Sequence, residues 1–413
     1  MSLSKKEEFV VGLDIGTTKI CALVAEISKA REINIIGIGT HPSLGLRKGV
    51  VVNIESTVAS VKKAVEEAEL MAGIEIDSVY VGIAGGHIRG FNSHGVVAVK
   101  EGEVTNKDIR RAIDAATAVA MPLDREVIHV LPQEFIVDDQ DGIRDPLGIS
   151  GVRLEVKVHI VTGAVASAQN IIKSCNRAGL NVKDIVLQQL ASSEAVLTPD
   201  EKDLGVALVD VGGGTTDLAI YYQGSIKHTS VIALGGNHVT NDIAVGLRTP
   251  TKEAEMIKRK YGCAFASLVK ANETVEVTSM GGREPRILSR KVLSEIIQPR
   301  VEEIFRLIHQ EIKRSGIEDL ISSGVVITGG ASIMEGIQEV GEQVFELPVR
   351  LGTPSGVGGL VDIVSSPLYS TAVGLILYAV KNHNGKGFGS TSSDTRLFNK
   401  VLKRMKEWIQ EFF

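Results

Sequence analysis

Aromatic residues are scarce: they make up 4% of a 413-residue chain that is 44% hydrophobic, so its core must be aliphatic. Cysteine is scarcer still. Cys21, Cys175 and Cys263 form an odd, widely spaced set, which implies a reducing compartment and no zinc site. The nine histidines contain no HExxH or paired metal spacing, and His129, His159 and His238 lie in apolar or turn contexts that suit satisfied structural residues. An excess of positive charge is missing too. The net charge of −5 argues against a general nucleic-acid surface. No apolar run near the C-terminus approaches the ~20 residues of a membrane span; the longest, Thr371 to Val380, reads as a core helix. Met1 to Glu8 carries both signs of charge and leads straight into a strand, which is no secretory signal, so a cytoplasmic protein is expected. The length is ample for two to four domains.

What the chain does have is a repeat. Val10 to Lys19 reads VVGLDIGTTK and Ala207 to Asp217 reads ALVDVGGGTTD, each an apolar strand ending in Asp and followed by Gly and Thr. Second strands follow at Ile20 to Ile27 and Leu218 to Tyr222, and third strands at Glu32 to Gly39 and Ser225 to Leu234. Each copy is a meander opened by a Gly-Thr turn. A P-loop or a dinucleotide turn must open a helix, so neither GxxxxGK[ST] nor GxGxxG accounts for these loops. They supply glycine backbone at Gly16, Gly212, Gly213 and Gly214, hydroxyls from Thr17, Thr18, Thr215 and Thr216, and one carboxylate at each strand end. Two such loops facing one another would clamp a nucleotide. Asp14 and Asp210 would then hold Mg²⁺ through water, since that ion keeps much of its hydration, and Lys19 would neutralise phosphate charge. A single copy would pass for an ordinary hairpin turn, which Gly, Thr and Asp favour anyway; duplication is what argues for a paired site.

A third element, VVITGGAS from Val325 to Ser332, reads as a buried strand, a Gly-Gly turn and then a helix from Ile333 to Phe345. Gly329, Gly330 and Ala331 would let a flat base lie against backbone. In isolation strand-Gly-Gly-helix is common. Taken in this order, the loops resemble those of the actin, sugar-kinase and heat-shock-chaperone ATPase superfamily. The resemblance implies an α/β, actin-like fold of the duplicated ribonuclease H-like type, with two lobes and ATP in the cleft between them.

The C-terminus differs from the rest. Lys381 to Thr395 is rich in Gly, Ser, Thr and Asn, the composition of a flexible tether. On a helical wheel of the following segment, Leu397, Phe398, Val401, Leu402, Met405, Trp408, Ile409, Phe412 and Phe413 fall within roughly 160°. The opposite arc carries Arg396, Lys400, Lys403, Arg404 and Lys406 against Glu407 and Glu411. Such a stripe also suits packing on the protein itself. The tether, the cationic face, the only Trp and the terminal Phe pair favour an anionic membrane interface. Binding by one tail should be reversible, and assembly would strengthen it by raising the local concentration of tails.

Between the two phosphate loops lie GHIRGFNSHGVV and DREVIHVLPQEFIVDDQDGIRDPLGISGVRLE, with a helix expected from Thr105 or Asn106 through Ala120 and a strand at Val127 to Val130. With YSTAVGLILYA, these segments resemble the bacterial cell-division FtsA family along nearly the whole chain. That resemblance implies lobe 1 core (1A) at residues 1–84, 164–199 and 361–381, with a small α/β subdomain (1C) inserted at 85–163. It implies lobe 2 core (2A) at 200–234 and 305–360, subdomain 2B at 235–304, a linker at 382–395 and the membrane-targeting helix at 396–413. It also implies an ATP-binding, polymerising protein that holds the FtsZ ring to the cytoplasmic face of the membrane at the division site as a peripheral protein, and recruits later division proteins through 1C. In this chain the nucleotide contacts would include Gly235, Gly236, Asn237, Glu255 and Lys258. Gln189 would orient the attacking water, which makes any turnover slow. Arg300, in RKVLSEIIQPRVEEI, would meet the acidic FtsZ C-terminal peptide. Rival readings from the same superfamily are a pilus-assembly ATPase, a sugar-kinase-type phosphotransferase and a chaperone. A kinase has no use for a basic tail, and a chaperone needs a substrate domain that the remaining length does not hold.

Overall fold

In a computed structural model of the chain, residues 8–28, 30–279 and 284–383 are described. Two sheets repeat one topology. In the first, the meander Glu8–Ile15, Lys19–Ile27, Ile33–Pro42 is antiparallel, and Ser78–Ile83 then Asn181–Leu187 add in parallel beside the first strand. The second repeats this with Val206–Val211, Thr216–Tyr222 and Ser225–Ile232, followed by Val325–Thr328 and Val349–Leu351 in parallel. Even the register repeats: Asp14 stands opposite Cys21, and Asp210 opposite Asp217.

Near-continuous aliphatic strands such as Val206–Val211, buried at every residue, need cover on both faces. On the first sheet one face is covered by the helix Ile54–Ala72, capped by Asn53 and by Gly73 at φ 70°. Gly39 lets this helix come close, since a Cβ there would strike the Ala64 carbonyl. The other face carries the helix Ser370–His383, whose Ala372, Val373, Leu375, Ile376 and Ala379 are fully buried, as a core helix over Thr371 to Val380 requires. Each sheet has its own core, and a further cluster joins Val10 and Leu23 to Leu208 and Val326 beneath the cleft. That shared floor is built on the helices Gln188–Val196 and Ser370–His383.

The insert is a four-stranded sheet ordered Arg89–Ala98, Arg153–Ala164, Arg125–Val137, Gln140–Ile143. The helix Asn106–Thr117 packs on it through Ile109, Ala112 and Ile113 over a separate small core. Thr105 and Asp108 close a capping box. The insert reaches across to the second lobe. Asn92 Nδ2 donates to the Lys227 carbonyl at 3.2 Å, Gln133 Nε2 to the Ile226 carbonyl at 2.8 Å, and Arg144 pairs with Asp203 at 2.6 Å.

Several boundaries differ from expectation, each for a local reason. The insert helix stops at Thr117 rather than Ala120, because Ala118 takes ψ 50° as the chain turns toward Pro122. The strand expected at Val127 to Val130 runs to Val137, since a register shift beside Pro132 absorbs the missing amide. The helix expected from Ile333 begins at Ile337, because Gly336 takes φ 77° and Glu335 bridges to Cys263. Gly358–Gly359, expected in lobe 2, pairs with Asn34 and Ile35 on the first sheet; two glycines carry no strand pattern to announce it. The last helix runs to His383, two residues into the expected linker. Among the described residues no helix is long and apolar enough to cross a membrane. The linker beyond His383 and every residue assigned to the membrane helix, Leu397 to Phe413, lie outside the described residues.

Candidate functional site

The two Gly-Thr turns meet. A Cβ on Gly213 would run into Thr18 Oγ1, and one on Gly214 would come within 2.6 Å of Thr17 Oγ1. Only glycine permits backbone from one lobe to pass so close to the hydroxyls of the other. The first turn is braced by the Gly49 amide donating to Thr17 Oγ1 at 2.9 Å and the Ser43 amide donating to the Thr18 carbonyl at 3.0 Å. The second is braced by Gly236 and Asn237, whose amides donate to the Gly212 and Gly213 carbonyls at 2.9 and 2.8 Å. Thr18 Oγ1 also donates across the cleft to Asn237 Oδ1 at 3.4 Å.

Asp14 and Asp210 end the first strands of their sheets on either side of this contact. Burial pushes the Asp14 carboxyl up to about 6, with Lys19 opposing the rise and Asp210 adding to it. Burial raises Asp210 as well, against the hydroxyls of Ser192 and Thr371. Two carboxylates that desolvate and repel one another are short of positive charge. Among the described residues no cluster of three or more His, Cys, Asp or Glu is disposed to hold a metal. A pair of carboxylates reaching an ion through its waters suits Mg²⁺, which takes few protein ligands. Lys19 sits at the rim, its Nζ donating to the Leu368 carbonyl at 3.0 Å and lying 4.2 Å above the Tyr369 ring.

The far end of the cleft is made of glycine against glycine. Gly329, at φ 91°, leaves no room for a Cβ beside Asp210 Oδ1, and a Cβ on Gly236 would lie 3.2 Å from that of Ala331. Gly330 abuts Leu368, and Gly235 packs on the carbonyls of Gly212, Gly213 and Thr215. Beneath lies an apolar hollow lined by Val211, Val239, Phe305, Ala331 and Met334. Glu255 and Lys258, three apart on Thr251–Tyr261, pair at 2.7 Å, and Lys258 Nζ donates to the Gly236 carbonyl at 3.1 Å and to Thr240 Oγ1 at 2.9 Å. Thr216, by contrast, is fully buried and donates to the Leu234 carbonyl at 2.9 Å, so its hydroxyl serves the sheet rather than the cleft.

Gln189 is wholly buried and neither amide atom finds a partner among the described residues. Its neighbour Gln188 is the one that reaches the cleft, donating from Nε2 to Asp14 Oδ1 at 3.0 Å. A step of ~100° along the helix separates the two side chains. Asp217 is a further acid with no role expected from the sequence. It is buried, accepts from Thr215 Oγ1 at 3.1 Å, leaves Oδ1 without a partner, and is raised well above the usual carboxylate range by burial and by Asp210. Its signal was its place in the second turn's motif, but the equivalent position in the first is Cys21. Arg300 lies away from these groups on the helix Arg290–Ser315, where Asp242 accepts from Nε at 2.6 Å and Nη2 at 3.1 Å and Glu303 pairs with Nη1. The three histidines are satisfied as expected. His129 accepts from the Leu187 amide at 3.0 Å, His159 bonds Asn92 and Thr229 at 2.7 and 2.8 Å, and His238 accepts from the Gly235 amide at 3.2 Å.

Twin meanders of one topology, turned so that their Gly-Thr loops touch, define the two-lobed actin-like class. Solved structures agree. The PilM-PilN type IV pilus biogenesis complex superposes with a TM-score of 0.65 at 16% identity, covering 90% of this chain and 98% of its own. MreB5 of Spiroplasma citri, bound to ADP, gives a TM-score of 0.54 at 16% identity over 92% of this chain and 99% of its own. Within that class the family model "Cell division protein FtsA" matches residues 207–374, and "SHS2 domain inserted in FTSA" matches residues 85–162. The cell division protein FtsA of Pseudomonas aeruginosa is 54% identical over 417 aligned residues, covering 100% of both chains. The chain belongs to the FtsA family of cell-division proteins, and the inserted sheet is its SHS2 domain.

Proposed function

We propose that this chain is the ATP-dependent scaffold that moors the FtsZ ring to the membrane, with Mg-ATP held between its two Gly-Thr turns. The single observation that carries the nucleotide reading is the direct approach of Gly213 and Gly214 to Thr18 and Thr17, flanked by Asp14 and Asp210. Gly16 to Lys19 and Gly212 to Thr215 would bind the phosphates. Gly235 to Asn237, Glu255, Lys258 and Gly329 to Ala331 would hold ribose and adenine. Asp14 and Asp210 would hold the magnesium, which when bound would offset phosphate charge. Gln188 would orient water with no strong base beside it, so hydrolysis is slow and ATP acts by favouring the lobe arrangement that polymerises.

The remaining parts follow the division of the chain into 1A, 1C, 2A and 2B. Subdomain 2B would receive the FtsZ C-terminal peptide, with Arg300 exchanging its Asp242 partner for a peptide carboxylate, which makes the net gain small. The SHS2 insert would recruit later division proteins, and the segment 396–413 would lie in the anionic inner leaflet. Electron microscopy of the full chain on a lipid monolayer with Mg-ATP tests this. Membrane-bound filaments are expected, and their loss in Trp408→Glu; no filaments from folded protein with bound ATP would sink the scaffold reading.

A further inference from the structure

Gln188 and Ser192 stand four residues apart on the helix Gln188–Val196, so they share one face with Cβ atoms ~5–6 Å apart. One holds each lobe's carboxylate. Gln188 Nε2 donates to Asp14 Oδ1 at 3.0 Å, and Ser192 Oγ donates to Asp210 Oδ2 at 2.6 Å. Thr371, from the helix Ser370–His383, supports the second contact, with Oγ1 3.4 Å from Asp210 Oδ2 and 3.0 Å from Ser192 Oγ. Building on the proposed Mg-ATP site, we infer that Gln188 and Ser192 are paired positioning residues. They set the distance between the two carboxylates and so tune the site for a hydrated divalent cation.

Each bond takes one oxygen and leaves the other. Among the described residues no hydrogen bond is donated to Asp14 Oδ2 or Asp210 Oδ1; the Gly329 backbone packs close beside the latter, with no room for a Cβ. Magnesium holds its own waters in near-ideal octahedral geometry, so two carboxylates on different lobes that reach it through those waters serve it only if their spacing is fixed. A single helical turn does this, and the helix is itself pinned. Ser193 Oγ bonds Tyr221 Oη at 2.6 Å, and Glu194 pairs with Lys202 at 2.9 Å and Lys381 at 3.0 Å. Separating the lobes would break one of the two carboxylate bonds, so cation binding and lobe closure are one event at this helix.

The test is calorimetric titration of ATP into the full chain, with excess Mg²⁺ and with EDTA, for the parent, Gln188→Leu, Ser192→Ala and Ser192→Thr. Gln188→Leu and Ser192→Ala should each lose about tenfold of the Mg²⁺-dependent gain in affinity, the worth of one hydrogen bond to a charged group. Their affinity in EDTA should match the parent, while the bond lost from the nucleotide-free protein should show as a lower thermal midpoint. Ser192→Thr, which keeps the hydroxyl, should restore the gain. Variants that keep the full Mg²⁺ gain, or lose affinity equally in both buffers, would overturn the positioning role and leave the ATP site standing. A parent that binds ATP equally well with and without Mg²⁺ would overturn the metal assignment and the positioning role together.

Discussion

The first and second Gly-Thr hairpins share a register but not a chemistry. Across the ladder from Asp14 stands Cys21, a buried neutral thiol whose pKa is pushed up to about 12 by burial; across from Asp210 stands Asp217, a second acid. The first turn ends in Lys19, the second is three glycines long and carries no cation. Duplication therefore supplied the geometry, and divergence divided the labour. The second lobe concentrates negative charge and glycine backbone, while the first supplies hydroxyls and one positive charge at the rim, held by the Leu368 carbonyl and the Tyr369 ring.

The sharpest way to break this division is to remove one carboxylate at a time. Asp210→Ala should lower Mg-ATP affinity by about a hundredfold or more, since it removes a charge directed at the metal; calorimetry showing retained affinity would move the metal elsewhere. Exchanging the opposed residues comes next. Cys21→Asp would bury an uncompensated carboxylate beside Asp14 and should cost about 3 kcal/mol of stability, whereas Asp217→Cys removes an unfavourable buried acid and should leave the thermal midpoint unchanged or higher. Equal effects of the two would mean that the hairpins are electrostatically alike. Gly213→Val should cost about 1–3 kcal/mol of nucleotide affinity by overpacking against Thr18, and unchanged binding would show that the turns need not meet.

The smallest effect is set by pH. Asp14 is raised from 3.8 to about 6, so between those values the native state binds more protons than the unfolded chain, and this group's stabilisation is lost as pH rises through about 6. Nucleotide-free protein should gain stability from Asp14 on acidification from pH 7 toward pH 5. Mg-ATP affinity should move the opposite way, falling roughly fourfold between pH 7.5 and 5.5 as the carboxylate protonates. Asp14→Asn should abolish the stability trend of the nucleotide-free protein, and a stability profile that survives it would assign that titration to Asp210 or Asp217.

Much of this was legible in the sequence because it was written twice. Strand-Asp-Gly-Thr in two copies announced the meanders, their order and the touching turns. A helix and one strand of the insert, and the shared face of Glu255 and Lys258, were legible from pattern and spacing, whereas the insert's bounds and the pair's role came from the family resemblance. Other contacts depend on helix phase and distant pairing, which carry no local signal. Gln188 and Gln189 are chemically identical, and only the angle at which the strand Asn181–Leu187 enters the next helix decides which amide faces the cleft. Ser192 and Thr371 converge on Asp210 from positions 179 residues apart. Gly358–Gly359 closes the first sheet by backbone alone.

That closing strand and the SHS2 insert share a consequence. The outermost strand of each meander would otherwise present a row of free peptide groups, which invites irreversible strand-to-strand growth. Gly358–Gly359 pairs with Asn34 and Ile35 at the start of Ile33–Pro42, and the side-chain amides of Asn92 and Gln133 take the Lys227 and Ile226 carbonyls on Ser225–Ile232. At these positions the chain's own groups occupy peptide groups that another strand would otherwise need, which shortens the stretch of each margin open to strand addition.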